Sequence, residues 1–150
     1  MVEDERRREV DAVLTAVGRL AGERGDIAAA GVAGSWAREA GRQDSDVDLI
    51  LLTENVEAYV ERDDWISGLG ALRVIRCQEW GAITERRLLL PSGLEVEVGI
   101  GSPMWAHSTP VDAGTRRVVR DGFRVLYDPR GLLEALVEAC SEPNADTATS

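Results

Sequence analysis

The chain has 150 residues, about one domain's length, with 44% hydrophobic and 29% charged residues, an ordinary balance for a globular protein. No apolar run approaches the roughly 18 residues of a membrane span, and the charged start Glu3-Asp4-Glu5-Arg6 has no apolar segment of the secretory type. The 27 acids against 17 bases give a net charge of -10, which repels duplex nucleic acid and anionic membrane unless bases cluster locally.

All the bases are Arg, so chemistry that needs Lys, such as a Schiff base or a P-loop lysine, is excluded. The two cysteines, Cys77 and Cys140, make no disulfide framework. Both read as reduced, buried, small apolar residues of a cytoplasmic protein.

Residues 3–24 predict an amphipathic helix, with Val10, Val13, Leu14, Val17 and Leu20 at 3/4 spacing and Gly22 and Gly25 at its end. A buried strand of small residues is expected over 27–33. Ser35 then reads as the N-cap of a short helix over 36–40. Residues 47–53 form the most apolar β-type run, a central strand. A helix is expected over 54–68 and a strand over 71–78. Residues 83–90 and 94–100 read as the strands of a hairpin around the turn Pro91-Ser92-Gly93. A helix over 109–120, with Pro110 in its first turn, a strand over 123–127 and a helix over 129–140 complete the pattern. Residues 141–150 are small and polar, an expected disordered tail. The whole reads as one domain over 1–140, an α/β (α+β) fold with a small mixed sheet flanked by helices.

Asp46 and Asp48 stand two apart at the start of the central strand, so both point to one face, roughly 7 Å apart. Two such carboxylates repel each other unless water or a cation lies between them, and hard oxygen ligands suit Mg²⁺. Gly34-Ser35 supplies a complementary half. Glycine admits a close backbone approach, and the N–H groups at the start of the following helix attract an anion. Together these describe a Mg-nucleoside triphosphate site. The strand Leu94-Glu95-Val96-Glu97-Val98 puts both Glu residues on one face, and either can complete a carboxylate triad if this strand lies beside the central one.

Gly34-Ser35, ten residues, then Asp46-x-Asp48, with a later hydrophobic-acid-hydrophobic strand, resembles the DNA polymerase β-like nucleotidyltransferase superfamily. Within it the chain is similar to minimal nucleotidyltransferases and to the N-terminal domains of antibiotic (aminoglycoside or lincosamide) nucleotidyltransferases. The resemblance implies a nucleotidyltransferase fold, two Mg²⁺ ions, and an NTP, ATP first, as substrate. Asp46, Asp48 and Glu97 become the metal-bridging, catalytic carboxylates, with Glu95 the alternative third and Glu97 helping to deprotonate the acceptor. Gly34, Ser35, Arg38 and Ser45 become nucleotide-binding, Arg38 matching the Gly-Ser-x-Ala-Arg form. Glu39 departs from the Gly often found next.

The implied acceptor is a small molecule such as an antibiotic, bound either in a homodimer cleft or in a pocket that a partner supplies. The other class of partner is a helical toxin, bound and adenylylated by an antitoxin. Each residue also has a plainer reading. Asp46 and Asp48 can be a solvated strand edge, and Arg38 a surface base paired with Glu39 or Asp44. Trp36 can be half-buried packing, Trp65, Trp80 and Trp105 core or interface, and Arg116, Arg117 and Arg120 a solvated helix face. His107, the lone histidine, has no partner ligand in sequence.

Overall fold

The computed structural model describes residues 4–106 and 111–141. A six-stranded sheet carries the fold. Its strands are β1 (Ile27–Ala33), β2 (Val47–Thr53), β3 (Arg73–Trp80), β4 (Ile83–Leu89), β5 (Glu95–Gly101) and β6 (Phe123–Tyr127), in the order β3-β4-β5-β2-β1-β6. β2 and β5 run parallel and every other neighbouring pair is antiparallel. The helices are α1 (Asp4–Arg24), α2 (Val56–Glu61), α3 (Ala113–Arg120) and α4 (Leu132–Ser141). The α/β (α+β) reading with a small mixed sheet flanked by helices therefore holds. Among the described residues, no helix is long and apolar enough to cross a membrane.

Period-two alternation decides what each face of the sheet does. Val47, Leu49 and Leu51 of β2, with Val96, Val98 and Ile100 of β5, join the core cluster that also holds Val10, Val13 and Val17 of α1. A second cluster, with Leu52, Val119, Leu133 and Leu136, seals the opposite face at the β1–β2 end under α3 and α4. β1 is buried along nearly its whole length, which is why its side chains are small. A Cβ on Gly31 would come within 2.5 Å of the Phe123 ring. The rest of that second face, over β5, β4 and β3, carries Glu95, Glu97, Glu85 and Arg87, and among the described residues no α-helix joins a core cluster there.

Several expected elements differ. Residues 36–40 form one turn, not a helix, and Ser35 caps nothing: Ala37 donates to the Gly34 carbonyl (3.1 Å) and Ala40 to that of Ser35 (2.8 Å). Glu39, at φ 58, turns the chain away before a second helical turn can form. Burial of Trp36, whose Nε1–H donates to the Ser45 carbonyl at 3.2 Å, ties the turn to the start of β2. The helix expected over 54–68 is α2 followed by a separate 3-10 turn at Ile66–Leu69. Buried Arg86 takes the carbonyls of Tyr59 (3.0 Å) and Arg62 (2.8 Å), and Trp65 Nε1–H also donates to Tyr59 (3.1 Å). The Tyr59 carbonyl, with two side-chain donors, is then closed to a further helical N–H group.

α3 starts late, at Ala113, because Asp112 caps it, accepting from the N–H groups of Gly114 (3.0 Å) and Thr115 (3.2 Å). Pro110, His107 and the tail from 142 onward lie outside the described residues. Cys77 is exposed on β3, the sheet's edge, rather than buried, whereas Cys140 is buried. Trp65 is core and Trp80 is exposed.

Candidate active site

The site is built by strand register. β2 and β5 pair so that Asp48 lies opposite Glu97, and β4 pairs with β5 so that Arg87 also lies opposite Glu97. Asp46 leads into β2 on the same side as Asp48. Across the other edge of β2, Ala33 pairs with Asp48, so the bend at Gly34 falls beside the acid. Gly34 has φ +79, and a Cβ there would lie 3.0 Å from Asp48 Oδ2. Its N–H donates to the Gly122 carbonyl at 3.0 Å, which ties the bend to the end of α3. Only glycine meets both demands. Among the described residues no backbone carbonyl accepts the N–H groups of Ser35 and Trp36, which remain open donors on this turn.

Charge in the cluster is unevenly compensated. Arg87 Nη1 donates to Asp46 Oδ2 (2.8 Å) and Glu95 Oε1 (2.9 Å), and its Nη2 to Glu97 Oε2 (2.9 Å). Arg76 Nη2 adds a bond to Glu97 Oε1 at 3.2 Å. Asp48 receives no donor among the described residues. Water reaches it, yet surrounding protein, then Glu97 and Asp46, push its carboxyl up to about 6, against the pull of Arg87. Burial, and next the charge of Glu97, also raise Glu85.

A cavity of about 340 Å³ holds Gly34, Asp48, Glu85, Glu97, Val118 and Asp121. It shares Ile50, Glu85 and Val118 with a groove of about 710 Å³ walled by Trp80, Ile83, Met104 and Trp105.

Of the residues expected at the site, Gly34, Asp46, Asp48 and Glu97 converge, and Glu95 joins through Arg87. Arg38 turns instead to Asp121, donating to its carbonyl and pairing with its carboxylate at 3.4 Å. The Ser45 hydroxyl accepts the Arg42 N–H at 2.9 Å and does not line the cavity. Arg87 and Glu85 were not expected. Their signal lies in the hairpin: counted outward from Pro91-Ser92-Gly93, Leu89 meets Glu95 and Arg87 meets Glu97.

The donors suit a hard divalent cation: they are carboxylate oxygens on adjoining strands, and one of them, Asp48, has no hydrogen-bonded counter-charge among the described residues. In this arrangement Arg87 holds two of them, and among the described residues no three acidic, Cys or His side chains form a ready cage. A cation therefore fits the donor chemistry once Arg87 gives way.

No family model and no curated protein matches this sequence. Among solved structures, the chain superposes on the Cid1 poly(U) polymerase with a TM-score of 0.50 and 17% identity, covering 72% of this chain and 34% of that one. For a cytoplasmic RNA terminal U-transferase the TM-score is 0.48, with 17% identity, 66% of this chain and 31% of that one. The chain thus spans about a third of the length of either protein. Strand order, the parallel pairing of the two acid-bearing strands and the Cid1 superposition together give this chain a nucleotidyltransferase fold.

Proposed function

We propose that the chain is the catalytic part of a divalent-cation-dependent nucleotidyltransferase. It transfers a nucleoside monophosphate from a nucleoside triphosphate, ATP on the sequence reading, to an acceptor hydroxyl and releases pyrophosphate. The observation that carries this is the in-register pair Asp48 and Glu97 beside the Gly34 bend, on a nucleotidyltransferase fold.

Asp46, Asp48 and Glu97 would hold two Mg²⁺ ions, which when bound neutralise charge on the phosphate and polarise it. The Gly34 bend lets the triphosphate tail approach, and the Ser35 and Trp36 N–H groups are its donors. The acceptor oxygen forms its bond to the α-phosphorus as the bond to pyrophosphate breaks, and Glu97 takes the hydroxyl proton. In-line displacement puts the attacking oxygen opposite the leaving group. With the tail at Gly34, the acceptor comes from beyond Ile50 and Glu85, along the Trp80–Trp105 groove. Glu85 and Asp112 are the charged side chains among that groove's described lining residues, which favours a cationic small molecule with an apolar face, as some antibiotics have.

The test is pyrophosphate release from a panel of nucleotides and hydroxylated acceptors. Asp46→Ala and Asp48→Ala should each lose activity on the order of 10²-fold or more, the scale of losing a preorganised charge at the reacting phosphate. Full activity in either variant overturns the proposal.

One observation favours a protein partner, the helical-toxin reading. Leu72 is 63% exposed just before β3, and Ile75 (40%) and Trp80 (57%) are exposed along it, on the edge of the sheet. Co-purification with a small helical protein, and adenylylation of it, would select that acceptor over a small molecule.

A further inference from the structure

Arg87 is a cation already in place among the carboxylates. It is anchored on β4, its side chain is only 16% exposed, and its two terminal nitrogens reach Asp46, Glu95 and Glu97 at 2.8–2.9 Å. Its hold is incomplete: Nε is buried without a hydrogen-bond partner, and none of its bonds goes to Asp48. Arg87 occupies one oxygen of Asp46 and one of Glu97, two of the carboxylates that would hold a divalent cation.

We infer that Arg87 is the resident counter-ion of the acid cluster, excluding free divalent cations and yielding the carboxylates only when a cation arrives with a triphosphate. This rests on the nucleotidyltransferase reading above. A bare dication entering the cluster must displace a guanidinium that stays within a few ångströms, so like charges crowd together. By Coulomb's law, even well-screened repulsion between such charges weakens cation binding by about tenfold. A triphosphate changes the balance. It brings several negative charges, and its oxygens offer the displaced guanidinium a two-pronged acceptor as good as a carboxylate. Cation and nucleotide therefore bind with positive coupling, each strengthening the other by the same factor. Arg76, paired with Glu97 from β3 but 53% exposed, is held less firmly and does not bridge the acids.

The probe is Mn²⁺ alone, titrated calorimetrically into the protein and into Arg87→Gln, with and without a non-hydrolysable ATP analogue. Without nucleotide, Arg87→Gln should bind Mn²⁺ about tenfold more tightly than the parent protein, and the analogue should narrow that gap. Equal or weaker Mn²⁺ binding by Arg87→Gln overturns the inference. If circular dichroism shows that Arg87→Gln does not fold, the parent protein decides. Its Tm should rise with Mn²⁺ by more when the analogue is present than when it is absent, and an equal or larger rise with Mn²⁺ alone refutes the claim. Asp48→Asn separates the two levels. If Mn²⁺ binding needs Asp48 but ignores Arg87, the transferase reading stands and this inference falls. If neither protein takes Mn²⁺ even with nucleotide, both fall.

Discussion

Glu39 sits at φ 58, a left-handed conformation in which a side chain crowds its own backbone. Glycine has no such conflict, so Glu39→Gly should stabilise the protein by about 1 kcal/mol in urea unfolding, the strain relief exceeding the entropy glycine adds to the unfolded chain. A loss of stability would mean that the Glu39 side chain has a role its backbone hides. Asp48 gives a pH signature. Its carboxyl titrates near 6 in the folded chain against an ordinary 3.8, so the folded state holds the proton longer. The stability tied to that proton is therefore full below about 4 and is lost as pH rises through about 6. In chelator, the urea midpoint of Asp48→Asn should gain on the parent protein across that window and keep a constant lead above it. A lead that is flat with pH would refute the crowding of Asp48. These acids were legible because two-residue spacing fixes a shared face locally. Arg87 was legible only in part: the hairpin register sets it beside 95 and 97, but its bond to Asp46 depends on β2 lying next to β5, and alternation within β4 says nothing of that.

At the scale of elements, one buried arginine separates the helix expected over 54–68 from the one that forms. The expected helix forms over Val56–Glu61, but periodicity carries no information about a side chain arriving from β4. Arg86 ends α2 by accepting no compromise at its C-terminal end: it donates to two main-chain carbonyls and pairs with Asp63 Oδ1 at 2.6 Å, lying over Trp65 at 6.0 Å. Arg86→Met keeps much of the stem's volume but removes the donor to the Arg62 carbonyl and leaves the Tyr59 carbonyl with Trp65 Nε1–H alone. It should cost about 2 kcal/mol in urea unfolding, within the range for leaving buried polar groups unsatisfied. Arg86→Lys should recover only part, since one ammonium does not reproduce the planar fork. An unchanged midpoint in Arg86→Met would show that water replaces the guanidinium at no cost. The same logic explains the single turn at 35–39, where Trp36 and Glu39 override a local helical start by packing and backbone angle.

Across the whole molecule, the sheet has one face closed by α1 and another that α3 and α4 close only in part. α3 runs along the boundary. Its end, at Asp121 and Gly122, meets Gly34, while its first turn, at Gly114 and Thr115, lines the apolar groove. Val118, midway, is the residue of α3 that borders both the carboxylate cavity and the groove. The tail of a triphosphate at Gly34 and an acceptor in the groove would therefore sit on opposite sides of Val118, and a larger side chain there narrows the passage between them. Val118 is 37% exposed, so Val118→Trp can be accommodated without disturbing the buried core under α4. With the acceptor varied, Val118→Trp should raise the acceptor KM by about tenfold, near 1.4 kcal/mol of lost binding, while the nucleotide KM stays within a factor of two. If instead the nucleotide KM rises and the acceptor KM holds, the two substrates lie the other way round. The groove would then hold the base, and the acceptor would come from the side of Gly34.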